Sequence, residues 1–222
     1  MAASNTNKKL MTPHPLIDEL MDAIYDNDFE KVKDLFARGA TANDRDEYGG
    51  TPLMYAADSE NASLELVQFL LDNGARVNDT DIDGIGALLD AVKSDRADIA
   101  ALLLDNGARI DHQSYNQFYG GQVSALMEAA YMGSHKVLRL LLDRGADLDL
   151  KDAEGMTALD IAVDAGDEES ARMLRDAAEQ RAAEKAAKVA EAKEQERHEM
   201  VEVKHQNVKS HAANKPKIRF KP

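Results

Sequence analysis

An internal repeat constrains this sequence more than any other feature, because every copy must adopt a similar fold. Four Gly-Ala pairs mark the register of the copies, and they begin at Gly39, Gly74, Gly107 and Gly145. Successive pairs are 35, 33 and 38 residues apart. The stretch 124–155 aligns with 51–84, and another copy starts at residue 157. A period near 33 residues predicts a stack of similar units in which each unit contacts mainly its neighbours.

Each copy has the pattern of two short helices followed by a turn. Thr51 is a good N-cap residue, and Pro52 follows it at the first helical position, where proline is tolerated. In the second helix Leu64, Val67 and Leu71 are spaced so that they line one face. The glycine of each Gly-Ala pair then ends that helix. One such unit buries too little apolar surface to fold alone, so neighbouring units must stack.

The repeated motifs resemble those of the ankyrin-repeat family over about residues 16–178. The shared motifs are a TPL- or SAL-like helix start, an Ala-Ala centre, a (V/I)xxLL second helix and a closing Gly-Ala followed by Asp or Asn. The resemblance implies an all-α solenoid of five helix pairs with β-hairpin-like fingers. It also implies hydrogen bonds between repeats from the histidine of a TPLH motif. This chain has other residues there, so a looser array is predicted; they are Met54, Leu89, Met127 and Asp160.

The last copy lacks the glycine that would end its second helix, because Ala178 stands at the corresponding position. The residues that follow are mostly strong helix formers. Their apolar positions are mostly alanine, which favours a single solvated helix over the alternative of a coiled coil. The predicted divisions are a flexible N-terminus at 1–12, the repeat array at 13–178, an extended charged helix at 179–206 and a basic tail at 207–222.

The charge of the chain is unevenly distributed. The formal net charge is −14, and between Pro13 and Asp167 there are 31 acidic but only 12 basic residues. An acidic array repels nucleic acid and anionic membranes, and it favours a partner protein with a basic patch. Nucleic-acid binding is expected only as an alternative, through the basic tail.

Cysteine usage and hydropathy indicate the compartment. The chain has no cysteine, which is typical of proteins in a reducing compartment and favours a cytoplasmic location. No stretch approaches the ~18 uninterrupted apolar residues of a membrane span. No apolar run of signal-peptide length follows Lys8 and Lys9. We therefore expect a protein without a membrane segment.

Two insertions interrupt the repeats. The smaller one adds two residues within DSENAS at 58–63, between the helices of the second copy. The larger one adds about five residues within DHQSYNQFYGGQV at 111–123, and it contains Tyr115, Phe118 and Tyr119. Insertions in repeat proteins lie on loops of one face, often the binding face. These aromatic residues are predicted either to bind a partner or to fold back over the edge of the array.

One run of carboxylates resembles half of an EF-hand calcium loop. Asp79, Asp81 and Asp83 alternate before Gly84, and Asp90 stands at the twelfth position. The run coincides with a predicted finger, however, so a calcium-responsive module is only an alternative, and neither a metal site nor a cofactor is expected. The six histidines are scattered, and no HExxH, GxSxG or Walker-type motif occurs. The sequence therefore predicts no enzyme active site.

The resemblance implies that a partner lies across the finger tips and the first helices of the repeats. The corresponding positions in this chain are Glu47, Tyr48, Ile82, Asp83, Ile85, Lys93, Tyr131, Met132, Glu154 and Met156. Together with the three aromatic residues of the larger insertion, they form the predicted partner-binding site. For Ile82 and Ile85, packing between adjacent fingers is the alternative. The predicted function is a non-enzymatic adaptor for another protein, with an acidic inhibitor that masks a basic protein as the alternative.

Overall fold

The computed structural model describes residues 15–116 and 121–213, with side chains for 15–115 and 121–200. These residues divide into two compact units, one ending at Arg175 and the other beginning at Asp176. The elements, in chain order, are α1 (Ile17–Tyr25), α2 (Phe29–Ala37), α3 (Pro52–Asp58), α4 (Leu64–Asp72), α5 (Ala87–Lys93), α6 (Ala97–Asp105), β1 (Gln113–Asn116), β2 (Gly121–Ser124), α7 (Ala125–Met132), α8 (His135–Asp143), α9 (Ala158–Asp164) and α10 (Glu168–Ala213).

Two rows of helices build the first unit. The inner row consists of α1, α3, α5, α7 and α9, and each of these helices contacts the next one in the row. The outer helices α2, α4, α6 and α8 each contact the inner helix that precedes them. The first turns of α10 add Met173 and Leu174 to the core that α9 enters with Ala162. The inner and outer rows are the stacked arrangement that the repeat predicts.

Alanine allows the inner helices to pack closely. One alanine stands at the fifth position of four inner helices and has no exposed surface in any of them; the four are Ala56, Ala91, Ala129 and Ala162. The outer helices pack with larger side chains, such as the fully buried Leu66, Leu103 and Leu138. Small residues on one row and leucines on the other allow neighbouring repeats to pack closely.

Local signals start the helices where the sequence predicts. The hydroxyl of Thr51 accepts a hydrogen bond from the N–H of Met54, and Pro52 begins α3. At the equivalent position Gly86 precedes α5 and has no side chain that could cap it. Packing of the inner row, rather than a cap, therefore maintains the start of α5.

Asparagine side chains link neighbouring repeats. The Nδ2 of Asn43 donates to the carbonyl of Gly74 at 2.9 Å, and its Oδ1 accepts from the N–H of Arg76 at 3.0 Å. Asn78 makes the same two bonds to the following repeat, at 2.9 and 2.8 Å. These positions supply hydrogen bonds between repeats although the histidine of the family motif is absent.

The larger insertion extends one finger into a hairpin. Strands β1 and β2 pair in antiparallel register, and residues 117–120 between them lie outside the described residues, including Phe118 and Tyr119. A Cβ atom added at Gly121 would lie 2.2 Å from the Cβ of Ala153. The hairpin therefore lies directly against the following finger, which the sequence did not predict.

The last helix is longer than the sequence predicts. α10 continues past residue 206 to Ala213, because strong helix formers occupy most of its length and no glycine or proline interrupts it. Its residues from 182 to 200 are exposed. The remainder of the predicted basic tail, 214–222, and the predicted flexible N-terminus lie outside the described residues.

Candidate functional site

The finger tips present exposed apolar side chains. Tyr48 is 60% exposed and Ile82 is 68% exposed, although both lie on fingers that contact each other. The N–H of Ile82 donates to the carbonyl of Tyr48 at 3.0 Å, which fixes the spacing of the two tips. The backbone is thus ordered by hydrogen bonds between fingers while both side chains remain open to solvent.

Aspartates shape the fingers from within. The Oδ1 of Asp81 accepts from the N–H groups of Asp83 at 2.9 Å and Ile85 at 2.8 Å. Asp46 and Asp152 accept equivalent pairs of backbone N–H groups in their own fingers. These carboxylates satisfy the backbone of each turn, so their conserved spacing in the repeat has a structural cause.

The carboxylates of the calcium-like run do not converge. Asp79 forms an ion pair with Arg45, whose guanidinium also donates to the carbonyl of Thr80. Asp81 serves the finger turn, and Asp90 lies on α5. Within the part of the chain that the structure describes, no three His, Cys, Asp or Glu residues are arranged to hold a metal ion.

The other predicted site residues differ in exposure. Tyr115, Tyr131 and Met132 are about half exposed. Ile85 and Met156 are instead partly buried and pack against the core. The remaining four described residues comprise three exposed acids and one half-buried cation; they are Glu47, Asp83, Glu154 and Lys93.

A groove runs between the fingers and the inner helices. One part has a volume of about 280 Å³ and is lined by Asp46, Tyr48, Gly50, Met54, Tyr55, Asp58, Asp81, Asp90 and Lys93. A second part of about 420 Å³ shares Asp46, Tyr48 and Tyr55 with it and reaches Ile17 and Asp18 of α1. Lys93 is the only cation among the residues that line these two parts. The groove is therefore acidic along the described part of α1, α3 and α5.

The hydroxyl of Tyr55 connects the groove floor to a finger. It donates to Asp46 Oδ2 at 2.8 Å. Burial is the main cause that raises the pKa of Tyr55 to about 12, and the bond to Asp46 adds to it. At the finger tip, a hydrogen bond to Glu47 raises the pKa of the exposed Tyr48. Both tyrosines are thus neutral hydrogen-bond donors at physiological pH.

Two acids on the inner helices are perturbed by burial. Asp90 is the fourth residue of α5, and Glu128 is the fourth residue of α7. Burial raises the pKa of Asp90 to about 7, despite the opposing charge of Lys93. Glu128 is 5% exposed, and no described residue donates a hydrogen bond to its Oε2. Burial also raises the pKa of Glu128, again against the charge of Lys93.

Comparison with known protein families agrees with the geometry of stacked helix pairs and fingers. A family model described as "Ankyrin repeats (3 copies)" matches residues 20–114 and 115–185. The chain belongs to the ankyrin-repeat family. Ankyrin repeats are generally protein–protein interaction modules, and the family is typically non-enzymatic.

Individual ankyrin proteins are similar to parts of this chain. An ankyrin repeat-containing protein of Treponema pallidum is 36% identical over 122 residues, which are 55% of this chain and 40% of that protein. The ankyrin repeat domain-containing protein SAT10 of Stachybotrys chartarum is 34% identical over 149 residues, 66% of this chain and 7% of that protein. The human ankyrin repeat and SOCS box protein 11 is 32% identical over 113 residues, 50% of this chain and 33% of that protein. The chain thus spans less than half the length of these relatives.

The sequence motifs do not identify Asp90 and Glu128 as acids that burial perturbs. The sequence motifs include Asp90 only as the last position of a calcium-like loop, and they do not include Glu128. The signal was present, since each is a lone acid within an otherwise largely apolar helix, ALLDAVK and ALMEAAYM. Alignment of the ankyrin repeats places the two acids at the same position in neighbouring copies.

None of the helices in the described part of the chain has an apolar stretch of the length that a membrane span requires.

Proposed function

We propose that this chain is a non-enzymatic adaptor that binds another protein across its finger face. The finger face comprises the ten positions predicted from the family together with the aromatic residues of the larger insertion: Glu47, Tyr48, Ile82, Asp83, Ile85, Lys93, Tyr131, Met132, Glu154 and Met156, with Tyr115, Phe118 and Tyr119. Because the chain has no cysteine, we also propose that it works in the reducing cytoplasm.

The single observation that carries the proposal is the exposure of Tyr48 and Ile82 on adjacent fingers. Large apolar side chains at solvent cost free energy unless a partner covers them, and aromatic residues are enriched in protein interfaces. The hydrogen bond between their backbones holds the two side chains at a fixed spacing before any partner binds. Such preorganisation reduces the entropy lost on binding.

The chemistry around the tips favours a partner with a basic patch. Glu47 and Asp83 stand beside the two apolar side chains, and the groove beneath them contains more carboxylates than cations. An apolar centre with an acidic rim complements a partner that presents an apolar centre with a basic rim.

A capture experiment tests this function. The full chain is immobilised and used to capture proteins from a lysate of its source cells, with the double variant Tyr48→Ala/Ile82→Ala beside it. The matched control is Tyr25→Ala/Leu64→Ala, which removes an exposed tyrosine and an exposed aliphatic residue away from the fingers. We expect a protein captured by the wild type and the control but lost from the finger variant. A partner retained by the finger variant, or no captured protein at all, contradicts the proposal.

The alternative is an inhibitor that masks a basic protein through charge alone. The excess of 31 acids over 12 bases between Pro13 and Asp167 favours it. Charge reversal at Glu47, Asp83 and Glu154 would then abolish binding, whereas Tyr48→Ala/Ile82→Ala would not. Binding would also weaken steeply between low and high salt, because exposed charges are screened.

A further inference from the structure

Most acids of the array are already used by the fold. Asp46, Asp81 and Asp152 accept backbone N–H groups in the fingers. Asp79 pairs with Arg45. Asp90 of α5 and Glu128 of α7 differ from these acids. The pKa of each is raised, and burial is the main cause in both. Glu128 is 5% exposed, and its Oε2 has no donor among the described residues. A buried acceptor without a donor is costly, so its presence requires an explanation.

The two acids occupy equivalent positions on neighbouring helices. Each is the fourth residue of its helix, and α5 and α7 contact each other in the inner row. The same position holds Tyr55 in α3 and Ile161 in α9. The acids thus form a local pair in the middle of the inner row, flanked by larger uncharged side chains.

Lys93 does not neutralise this pair. Its ammonium interacts with the charges of both Asp90 and Glu128. Among the described residues, however, it forms no ion pair within 4.0 Å with either acid. Asp58 of α3 and Asp81 of the finger add further negative charge near Asp90. One half-buried cation therefore interacts with both acids, while two further carboxylates act on Asp90.

We propose that Asp90 and Glu128 receive one arginine side chain of the partner protein, inserted into the groove beside Lys93. This proposal rests on the finger face being the partner's docking surface, and it names the chemistry that the groove recognises. Asp90 lines the groove directly. Glu128 is not among the residues that line it, but it interacts with the charge of Lys93, which does, and its buried Oε2 is an acceptor without a donor among the described residues.

A guanidinium suits this arrangement better than an ammonium. It has five N–H donors on a planar group, so it can pair with one carboxylate along one edge and with a second carboxylate along another. It is also less strongly hydrated than an ammonium and stays charged in a buried site.

The test uses the full chain and a fluorescein-labelled tetra-arginine peptide, with tetra-lysine and tetra-citrulline peptides as probes of the same length. Anisotropy is measured at pH 8.5 and low salt, where Asp90 is ionised. We expect Asp90→Asn and Glu128→Gln each to weaken tetra-arginine binding about fivefold or more. The matched control Asp143→Asn removes an exposed acid of α8 and should change it less than about twofold.

A variant with the opposite effect guards against loss by misfolding. Lys93→Met removes the competing cation, so tetra-arginine should bind more tightly than to Lys136→Met, which removes an exposed lysine of α8. Tetra-lysine should bind more weakly than tetra-arginine, and tetra-citrulline weakest of the three. Equal effects of the groove and surface variants, or equal affinity for arginine and lysine, overturn the proposal.

The outcomes also separate this proposal from the proposed function. If a captured partner depends on Tyr48 and Ile82 but tetra-arginine binding ignores Asp90 and Glu128, only the arginine site is wrong. If the peptide responds as expected and no partner is captured, the adaptor function is wrong, and only the affinity of the two acids for arginine is supported.

Discussion

At the scale of single residues, Asp90 and Glu128 make the free energy of unfolding depend on pH. Burial raises the pKa of Asp90 from 3.8 to about 7 and raises that of Glu128 as well. Folding therefore favours the protonated carboxyls over the ionised ones. The stability contributed by Asp90 is present below pH about 4 and is lost as the pH rises through about 7. Asp90 and Glu128 therefore destabilise the fold when they ionise, whereas most carboxylates in folded proteins stabilise it when ionised.

Neutralising Asp90 should remove this loss. We expect Asp90→Asn to raise the free energy of unfolding by about 1–3 kcal/mol at pH 8 and by much less at pH 4.5. Urea unfolding at the two pH values measures the difference between variant and wild type. Asp143→Asn serves as the control at an exposed position. A gain that is equal at both pH values would show that desolvation of Asp90 is not its source.

Asp167 behaves in the opposite way. Its carboxylate accepts from the hydroxyl and N–H of Ser170 and contacts His135 Nε2 at 2.9 Å. The bonds from Ser170 are the main cause that lowers its pKa to about 2. Stabilisation by Asp167 is therefore present above pH about 4 and is lost as the pH falls through about 2.

Removing this carboxylate should loosen the start of α10. We predict that Asp167→Ala lowers the free energy of unfolding by about 1 kcal/mol at pH 7, because the helix loses its N-terminal acceptor. Asp164→Ala, at the exposed end of α9, should have little effect. Thermal unfolding followed by circular dichroism measures both, and equal losses would contradict the capping role.

At the scale of elements, an arginine from the next repeat holds the smaller insertion in place. Arg96 precedes α6, and its guanidinium donates to the carbonyls of Ser59 and Ala62, each at 3.0 Å. Asp98 holds the same guanidinium from the other side at 2.9 Å. The two extra residues therefore do not simply loop into solvent, because their backbone acceptors are satisfied by the following repeat.

Arg96→Ala should release this loop. The buried carbonyls would lose their donors, so we predict a loss of about 1–2 kcal/mol in the free energy of unfolding. Hydrogen exchange should also become faster over residues 59–63 than elsewhere in the array. Arg109→Ala is the matched control, because the hydrogen bond from Arg109 to Asn78 uses only the backbone N–H of Arg109. Unchanged exchange over 59–63 would mean that Arg96 does not hold the loop.

The sequence predicts regular elements well and their tertiary partners poorly. The cap at Thr51, the stripe in α4 and the uninterrupted helix formers of α10 are local signals, and the corresponding helices form. The hairpin of β1 and β2 and the role of Arg96 depend on residues about one repeat away. No local pattern records that Gly121 must be small because Ala153 lies against it.

The candidate site was predictable to a similar extent. Register in the repeat places Tyr48 and Ile82 at finger tips, and both side chains are exposed there. Ile85 stands three residues from Ile82 yet packs against the core. The binding role of all these residues stays a prediction. The pKa of Asp90 depends on burial by neighbouring helices, which the sequence of one helix does not contain.

At the scale of the whole molecule, the inner row couples distant repeats. Ala56, Ala91, Ala129 and Ala162 have no exposed surface, so each helix spacing is set by the smallest side chain available. Enlarging one of them must displace two neighbouring helices at once, since interiors are packed too densely to absorb added volume.

Ala91→Leu should therefore destabilise the array as a whole. We predict a loss of about 1–3 kcal/mol in the free energy of unfolding. Circular dichroism and the fluorescence of tyrosines in different repeats should report the same shifted transition. Ala182→Leu adds the same atoms at an exposed position of α10 and should leave the midpoint nearly unchanged. Separate transitions for different tyrosines would contradict coupling along the inner row.

The asparagine links have a consequence for how such a chain can change length over evolutionary time. Asn43 and Asn78 each provide one donor and one acceptor to the repeat that follows. Their partners in that repeat are a backbone carbonyl and a backbone N–H, which any residue other than proline provides. A duplicated repeat would therefore carry its own linking asparagine, and the repeat after it would already have the backbone groups which that asparagine binds. Gene duplication or deletion could then lengthen or shorten the array without requiring new side-chain contacts between repeats.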